Sequence, residues 1–235
     1  MEAALFVASP GSARLHRLAP PGAKVVDRDG RLVTAHYGSV ATELAVCRKA
    51  VGMSVRTELR ILEVCGREPW LERLLSRALG GRVPEVGTAA IAAGAWCCRT
   101  EQDRALVIGP SGAVERWRRV AREAVIGGSP ISAAELTDAW APLSLIGPKA
   151  PRLLALAGAE AHDLPVGGLT ATTVEGAPAL VLRAGADHWL ALLDADAAPD
   201  ACRALLETGR GVGLSLVGCE AVARLAAAAR PMVLA

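Results

Sequence analysis

The chain has 235 residues, of which 52% are apolar and 21% charged, and its net charge is +2. That length buries a sizeable core, that composition excludes a disordered chain, and arginines scattered without a basic block exclude the electrostatic footprint of a nucleic-acid binder. No apolar run approaches the ~20 residues of a membrane-crossing helix, and residues 1–13 lack the basic start and long apolar stretch of a secretory signal, so a cytoplasmic protein is expected.

Residues 1–23 carry Pro10, Pro20, Pro21, Gly11 and Gly22 and read as a loose leader. Val25-Val26 and Leu32-Val33 flank Asp29-Gly30 as a short hairpin. Ser39 is the predicted N-cap of a helix running to Ala50 and stopped by Gly52. Glu43 and Arg48 on that helix are expected at its surface. Residues 55–65 alternate apolar and polar, the period of a half-buried strand. A helix follows over 69–79, then two antiparallel strands over 88–98 and 105–108, a Gly-Pro-Ser-Gly turn, and a helix over 114–125 with Arg118, Arg119 and Arg122 on its solvated side.

The same order recurs: a short strand over 143–146, a Gly-Pro break, a helix over 151–156, a hairpin around Gly176, a strand over 189–193, a helix over 198–207 and a closing strand over 212–217. Gly66 and Gly147 lie 81 positions apart, and Asp103 and Asp187 lie 84 apart. The expected fold is therefore α+β, with pseudo-duplicated β-α-β-β-α-β halves at 55–127 and 140–217 following a leader and hairpin at 1–35. Neither half hides both faces of its sheet alone, so the halves are expected to pack together, with a small-molecule pocket between them.

Motifs for phosphate loops, dinucleotide turns, zinc helices and nucleophile elbows are missing. The six cysteines include no Cys-x-x-Cys pair and read as free thiols. Cys97 and Cys98 are adjacent in a strand and point to opposite faces, so no metal is expected. Tyr37 beside His36 and His188-Trp189 beside Asp187 are the polar and aromatic groups best placed to line a cavity.

Several phrases, in order, carry a resemblance: a long run beginning YGSVATELAVCRKAVGMSV at Tyr37, then DRALVIGP at Asp103, APLSLIGPKAPRLLALAG at Ala141, and GAPALVLRAGADHWLALLDAD at Gly176. Over roughly residues 36–229 the chain resembles the folate-binding portion of the aminomethyltransferase (glycine cleavage T-protein) superfamily. It is most similar there to the short gamma subunit of heterotetrameric sarcosine oxidase. The resemblance implies a T-protein-like folate-binding domain over 36–235 without the family's C-terminal β-barrel, a central pocket for tetrahydrofolate, and one-carbon transfer from a substrate amine.

The family's functional groups carry over poorly. Its acidic Asp-Asp pair falls on Ala92 and Ala93, which accept no proton. Its GYTGExGYE segment falls on 185–190, with Leu190 in place of the second glutamate. In its ARDTLRLE segment the Arg and Asp become Val222 and Ala223. Candidate catalytic residues are therefore Tyr37, His36, Asp103 and Glu101, with Glu85 as a further source of acid. Candidate cofactor contacts are Trp96, Arg183, Asp187, His188 and Trp189. The expected function is a T-protein-like protein of altered chemistry, either a repurposed small-molecule enzyme or binder or a non-catalytic gamma-type subunit of an oxidase complex.

Overall fold

The computed structural model describes residues 22–228, and all but the last two residues of the leader expected over 1–23 lie outside them. A hairpin opens the fold, β1 (Lys24–Arg28) and β2 (Arg31–His36), turned at Asp29-Gly30 with both residues at positive φ. Helix α1 (Val40–Lys49) follows, and Ser39 Oγ accepts the Thr42 N–H at 3.4 Å as its cap. Two sheets then form. The first half runs β4 (Arg60–Gly66), α2 (Trp70–Leu79), β5 (Thr88–Ala92), β6 (Ala95–Glu101), β7 (Arg104–Gly109), α3 (Ser111–Ile126) and β8 (Ile131–Glu135). The second runs β9 (Trp140–Ile146), α4 (Ala150–Leu156), β10 (Leu169–Val174), β11 (Ala177–Gly185), β12 (His188–Asp194), α5 (Ala198–Thr208) and β13 (Leu214–Leu216), and α6 (Cys219–Ala228) ends the described chain.

The strand orders are 5-6-7-4-8 and 10-11-12-9-3-13, so the second sheet repeats the first with β3 (Val51–Val55) inserted between its opening and closing strands. The closing strand keeps its direction: β8 is antiparallel to β4, and β13 runs parallel to β3, which is itself antiparallel to β9. The fold is thus α+β with pseudo-duplicated halves.

Three apolar layers account for this arrangement. Leu62, Val64, Ala105 and Val107 face α2 and α3, while Leu143, Leu145, Val181 and Leu193 face α4 and α5. The alternate residues of the same strands, including Ile61, Leu106 and Ile108 from one sheet and Leu182, Leu190 and Leu192 from the other, meet in a single layer between the sheets. Both faces of the central strands are therefore hidden, which is why strands such as β9 and β12 read as nearly continuous apolar runs. Cys97 and Cys98 divide between the helix-facing and inter-sheet layers, as their adjacency in a strand dictates.

Three local readings change. The single strand over 55–65 is two, because β3 lies in one sheet and β4 in the other, with residues 56–59 crossing between them. The apolar run 88–98 is a hairpin whose turn is carried by Ala93 (φ 51) and Gly94 (φ 83). Gly52 lies inside β3 instead of ending α1; a side chain there would meet Cys47 Sγ at 2.6 Å and the Val217 methyl groups.

Glu43 is the larger correction. It is 5% exposed, not on the surface, and its carboxylate accepts the Tyr37 N–H at 2.5 Å and the Gly218 N–H at 2.8 Å. One buried side chain thereby joins the end of β2 to the start of α6. Glu43→Ala leaves two amide groups without partners and is expected to lower unfolding free energy by about 2–4 kcal/mol. Urea denaturation measures this, and a loss within about 0.5 kcal/mol of wild type would contradict the joint.

Candidate functional site

The chain crosses between the sheets twice, at 56–59 and 136–139, and the crossings are tied side by side: Thr137 Oγ1 accepts the Ile61 N–H at 2.9 Å and Ile61 O accepts the Leu136 N–H at 2.9 Å. Beside them the inter-sheet layer changes from apolar to polar. Ser54 and Ser144 are register partners on β3 and β9, both essentially unexposed, and Ser144 has the parity opposite to Leu143 and Leu145. Arg56 Nη1 donates to Ser144 Oγ at 3.1 Å, His188 Nε2 lies 3.0 Å from the same oxygen, and Arg56 Nε pairs with Glu58 Oε1.

Arg56 can only donate, so Ser144 Oγ accepts from it, and the hydroxyl's hydrogen and second lone pair both remain for His188 Nε2, so the contact suits either neutral tautomer. Burial, reinforced by the Arg56 cation, pushes the His188 pKa down to about 4. Glu58 Oε2 is buried with no partner. The serine–histidine pair resembles part of a nucleophilic relay, but Ser144 is 0% exposed and its oxygen is already held by Arg56. The contacts therefore hold these side chains in place, and Ser144 is not free to attack.

Of the predicted residues only His188 belongs to this cluster. Trp189 has the opposite parity and is buried in the helix-facing layer, where the Arg183 guanidinium lies 5.0 Å above its ring and donates to Leu164 O at 2.8 Å and Ala186 O at 3.0 Å. Asp187 is an exposed turn residue whose carbonyl accepts the Gly147 N–H at 2.8 Å. Trp96 packs against the inter-sheet layer. His36 ends β2 and its Nδ1 accepts the Gly38 N–H at 3.3 Å. Tyr37 is half-buried, and burial raises its pKa against a hydrogen bond with Thr34. Glu101 and Asp103 are exposed at the β6–β7 turn, where Glu101 pairs with Arg104 at 3.6 Å. No side-chain hydrogen bond or ion pair joins any two of these nine residues among those described.

Sequence reasoning missed Arg56, Glu58 and Ser144. The signal for Ser144 was present: one hydroxyl within the apolar run Ala-Pro-Leu-Ser-Leu-Ile, at the parity of the inner face. Among the described residues no three His, Cys, Asp or Glu side chains gather as a metal site requires, and no helix is long and apolar enough to cross a membrane. Ala92 and Ala93 lie at the β5–β6 turn, Leu190 in the inter-sheet layer, and Val222 against Cys47 and Val217.

His188 carries a pH signature. Its ordinary value is 6.5 and its folded value about 4, so the folded state favours the neutral ring. The stability it contributes is complete above pH 6.5 and is lost as pH falls toward 4, on the order of 3 kcal/mol in all. His188→Gln is expected to flatten the dependence of unfolding free energy on pH between 6.5 and 4; an unchanged slope would contradict a neutral, buried His188.

Comparison with known proteins places this geometry. The aminomethyltransferase T of the glycine cleavage system from Bartonella henselae superposes with a TM-score of 0.73 at 22% identity, over 90% of this chain. The chain spans 59% of that protein's length. A chain of heterotetrameric sarcosine oxidase from Corynebacterium sp. U-96 superposes with a TM-score of 0.60 at 18% identity, over 75% of this chain and 93% of that one. At these identities the likeness establishes the fold. No curated protein sequence matches the chain. Residues 15–230, however, match the model of the GCVT N-terminal domain, and the chain belongs to that aminomethyltransferase-like family.

Proposed function

We propose that this chain is a T-protein-like module of altered chemistry, related to tetrahydrofolate-dependent aminomethyl or methyl transfer, that serves as the gamma-type subunit of a sarcosine-oxidase-like complex. The observation that carries this reading is the β5–β6 turn. The family's acidic pair falls there on Ala92 and Ala93, and methyl groups neither take a proton nor orient a pterin amine. With Leu190 packed between the sheets as well, the residues present do not fit tetrahydrofolate in the manner of the family's motifs. The other acids considered, Glu85, Glu101 and Asp103, are exposed surface residues, Glu85 and Glu101 in ion pairs with Arg82 and Arg104 and Asp103 at the β6–β7 turn. The superposition on most of a sarcosine oxidase chain supports the assembly role.

A second reading, a repurposed small-molecule binder, is favoured by one feature: the partnerless Glu58 Oε2 beside Arg56, Ser144 and His188, which suits a ligand N–H.

Affinity purification of the full chain from its native host is expected to yield a stoichiometric complex with oxidase-type subunits. Recovery of the chain alone, at native expression level and low salt, would contradict the assembly role. Glu58→Gln separates the readings: complex formation is expected to persist, whereas a metabolite that shifts tryptophan fluorescence of the wild type and loses at least tenfold in affinity in this variant would favour the binder.

A further inference from the structure

We propose that the groove along the outer side of α2 is a binding site for a small organic polyanion bearing carboxylate or phosphate groups. The groove lies by α2, on the helix-covered side of the first sheet and away from the inter-sheet cluster. It is an open groove of about 860 Å³ between α2 and the segment 81–85, wide enough for a metabolite-sized ligand.

Four guanidinium groups line it, from Arg73, Arg77, Arg82 and Arg99, against the two carboxylates of Glu72 and Glu85. Arg99 sets the site apart from ordinary surface charge. It is 7% exposed; its Nη2 donates to Glu68 Oε1 at 2.7 Å and to Gln102 O at 2.9 Å, and its Nε is buried with no partner. A buried guanidinium with an unmatched N–H is held at a cost that an added acceptor relieves.

The other three arginines stand ready for exchange. Arg73 has no carboxylate partner among the described residues and lies over the Trp70 ring at 5.4 Å. Arg77 and Arg82 make exposed pairs, with Glu123 at 2.9 Å and Glu85 at 2.7 Å, which are weakly held in water. A planar guanidinium fork matches carboxylate and phosphate oxygens two at a time, so several forks around one groove select a ligand with more than one anionic group.

The test is isothermal titration of the full chain at low salt with pyrophosphate and with citrate as probes. Binding of at least one probe below about 1 mM is expected, with tighter pyrophosphate marking a phosphate ligand and tighter citrate a polycarboxylate. Because Arg99 also fastens Glu68 and the Gln102 carbonyl, the exposed double variant Arg73→Ala/Arg77→Ala carries the test. It is expected to weaken binding at least tenfold while Arg119→Ala, on the exposed side of α3, leaves it unchanged. Absence of binding by both probes at about 10 mM, or affinity that the double variant retains, would overturn the proposal.

Discussion

The structure depends on one constraint: each sheet is apolar on both faces. A helix pair can cover only one of them. The inner faces, carrying Ile61, Leu106 and Ile108 on one side and Leu182, Leu190 and Leu192 on the other, must therefore cover each other. Burying such side chains stabilises by about 1.5–3 kcal/mol each relative to exposure, so neither half is expected to persist alone. The duplication in the sequence is thus also a requirement, since each half supplies the missing cover of the other. The edges agree with this, because Leu169 and Ala89 donate backbone hydrogen bonds to Gly87 and Gly167 and stitch the two sheets together where β5 meets the entry to β10.

Polar groups in this layer are confined to the zone where the chain crosses between the sheets. A serine inside a leucine-lined seam is tolerated only when its hydroxyl is satisfied, and Ser144 is satisfied twice, by Arg56 and by His188. Burial, with the Arg56 cation adding to it, keeps His188 neutral, and the Arg56–Glu58 pair sits at the border of the layer. Among the described residues this border is where the inner layer gathers its polar groups, and Ala92 and Ala93, onto which the resemblance aligns the family's acidic pair, lie elsewhere, at the β5–β6 turn.

Much of this was legible in the sequence because strand and helix periods are local signals. The α1 cap at Ser39 and the opposite faces of Cys97 and Cys98 follow from spacing within a few residues, and the repeat follows from the same series of local patterns recurring 81 to 84 positions on. What was not legible depends on distant partners or on atypical turn residues. Glu43 looks like an ordinary helix-surface acid until its partner Gly218, 175 residues away, is placed beside it. The β5–β6 turn is hidden because alanine at positive φ gives no turn signal. Gly52 resembles a helix stop, yet its small size is needed for the approach of Cys47 and Val217. His188 was identified while Arg56 and Glu58 were not, since the alternation around them matches an uninterrupted strand and conceals the crossing between sheets.

The proposal that this member of the GCVT N-terminal domain family keeps the scaffold without the family's proton-transfer groups has a direct test. The most direct measurement is a single-turnover assay of one-carbon transfer to tetrahydrofolate from an aminomethyl donor, with the full chain in excess over donor. Transfer no faster than the uncatalysed rate is the predicted result. Transfer above that rate, abolished by substituting one residue of the inter-sheet cluster such as His188→Gln, would contradict the account.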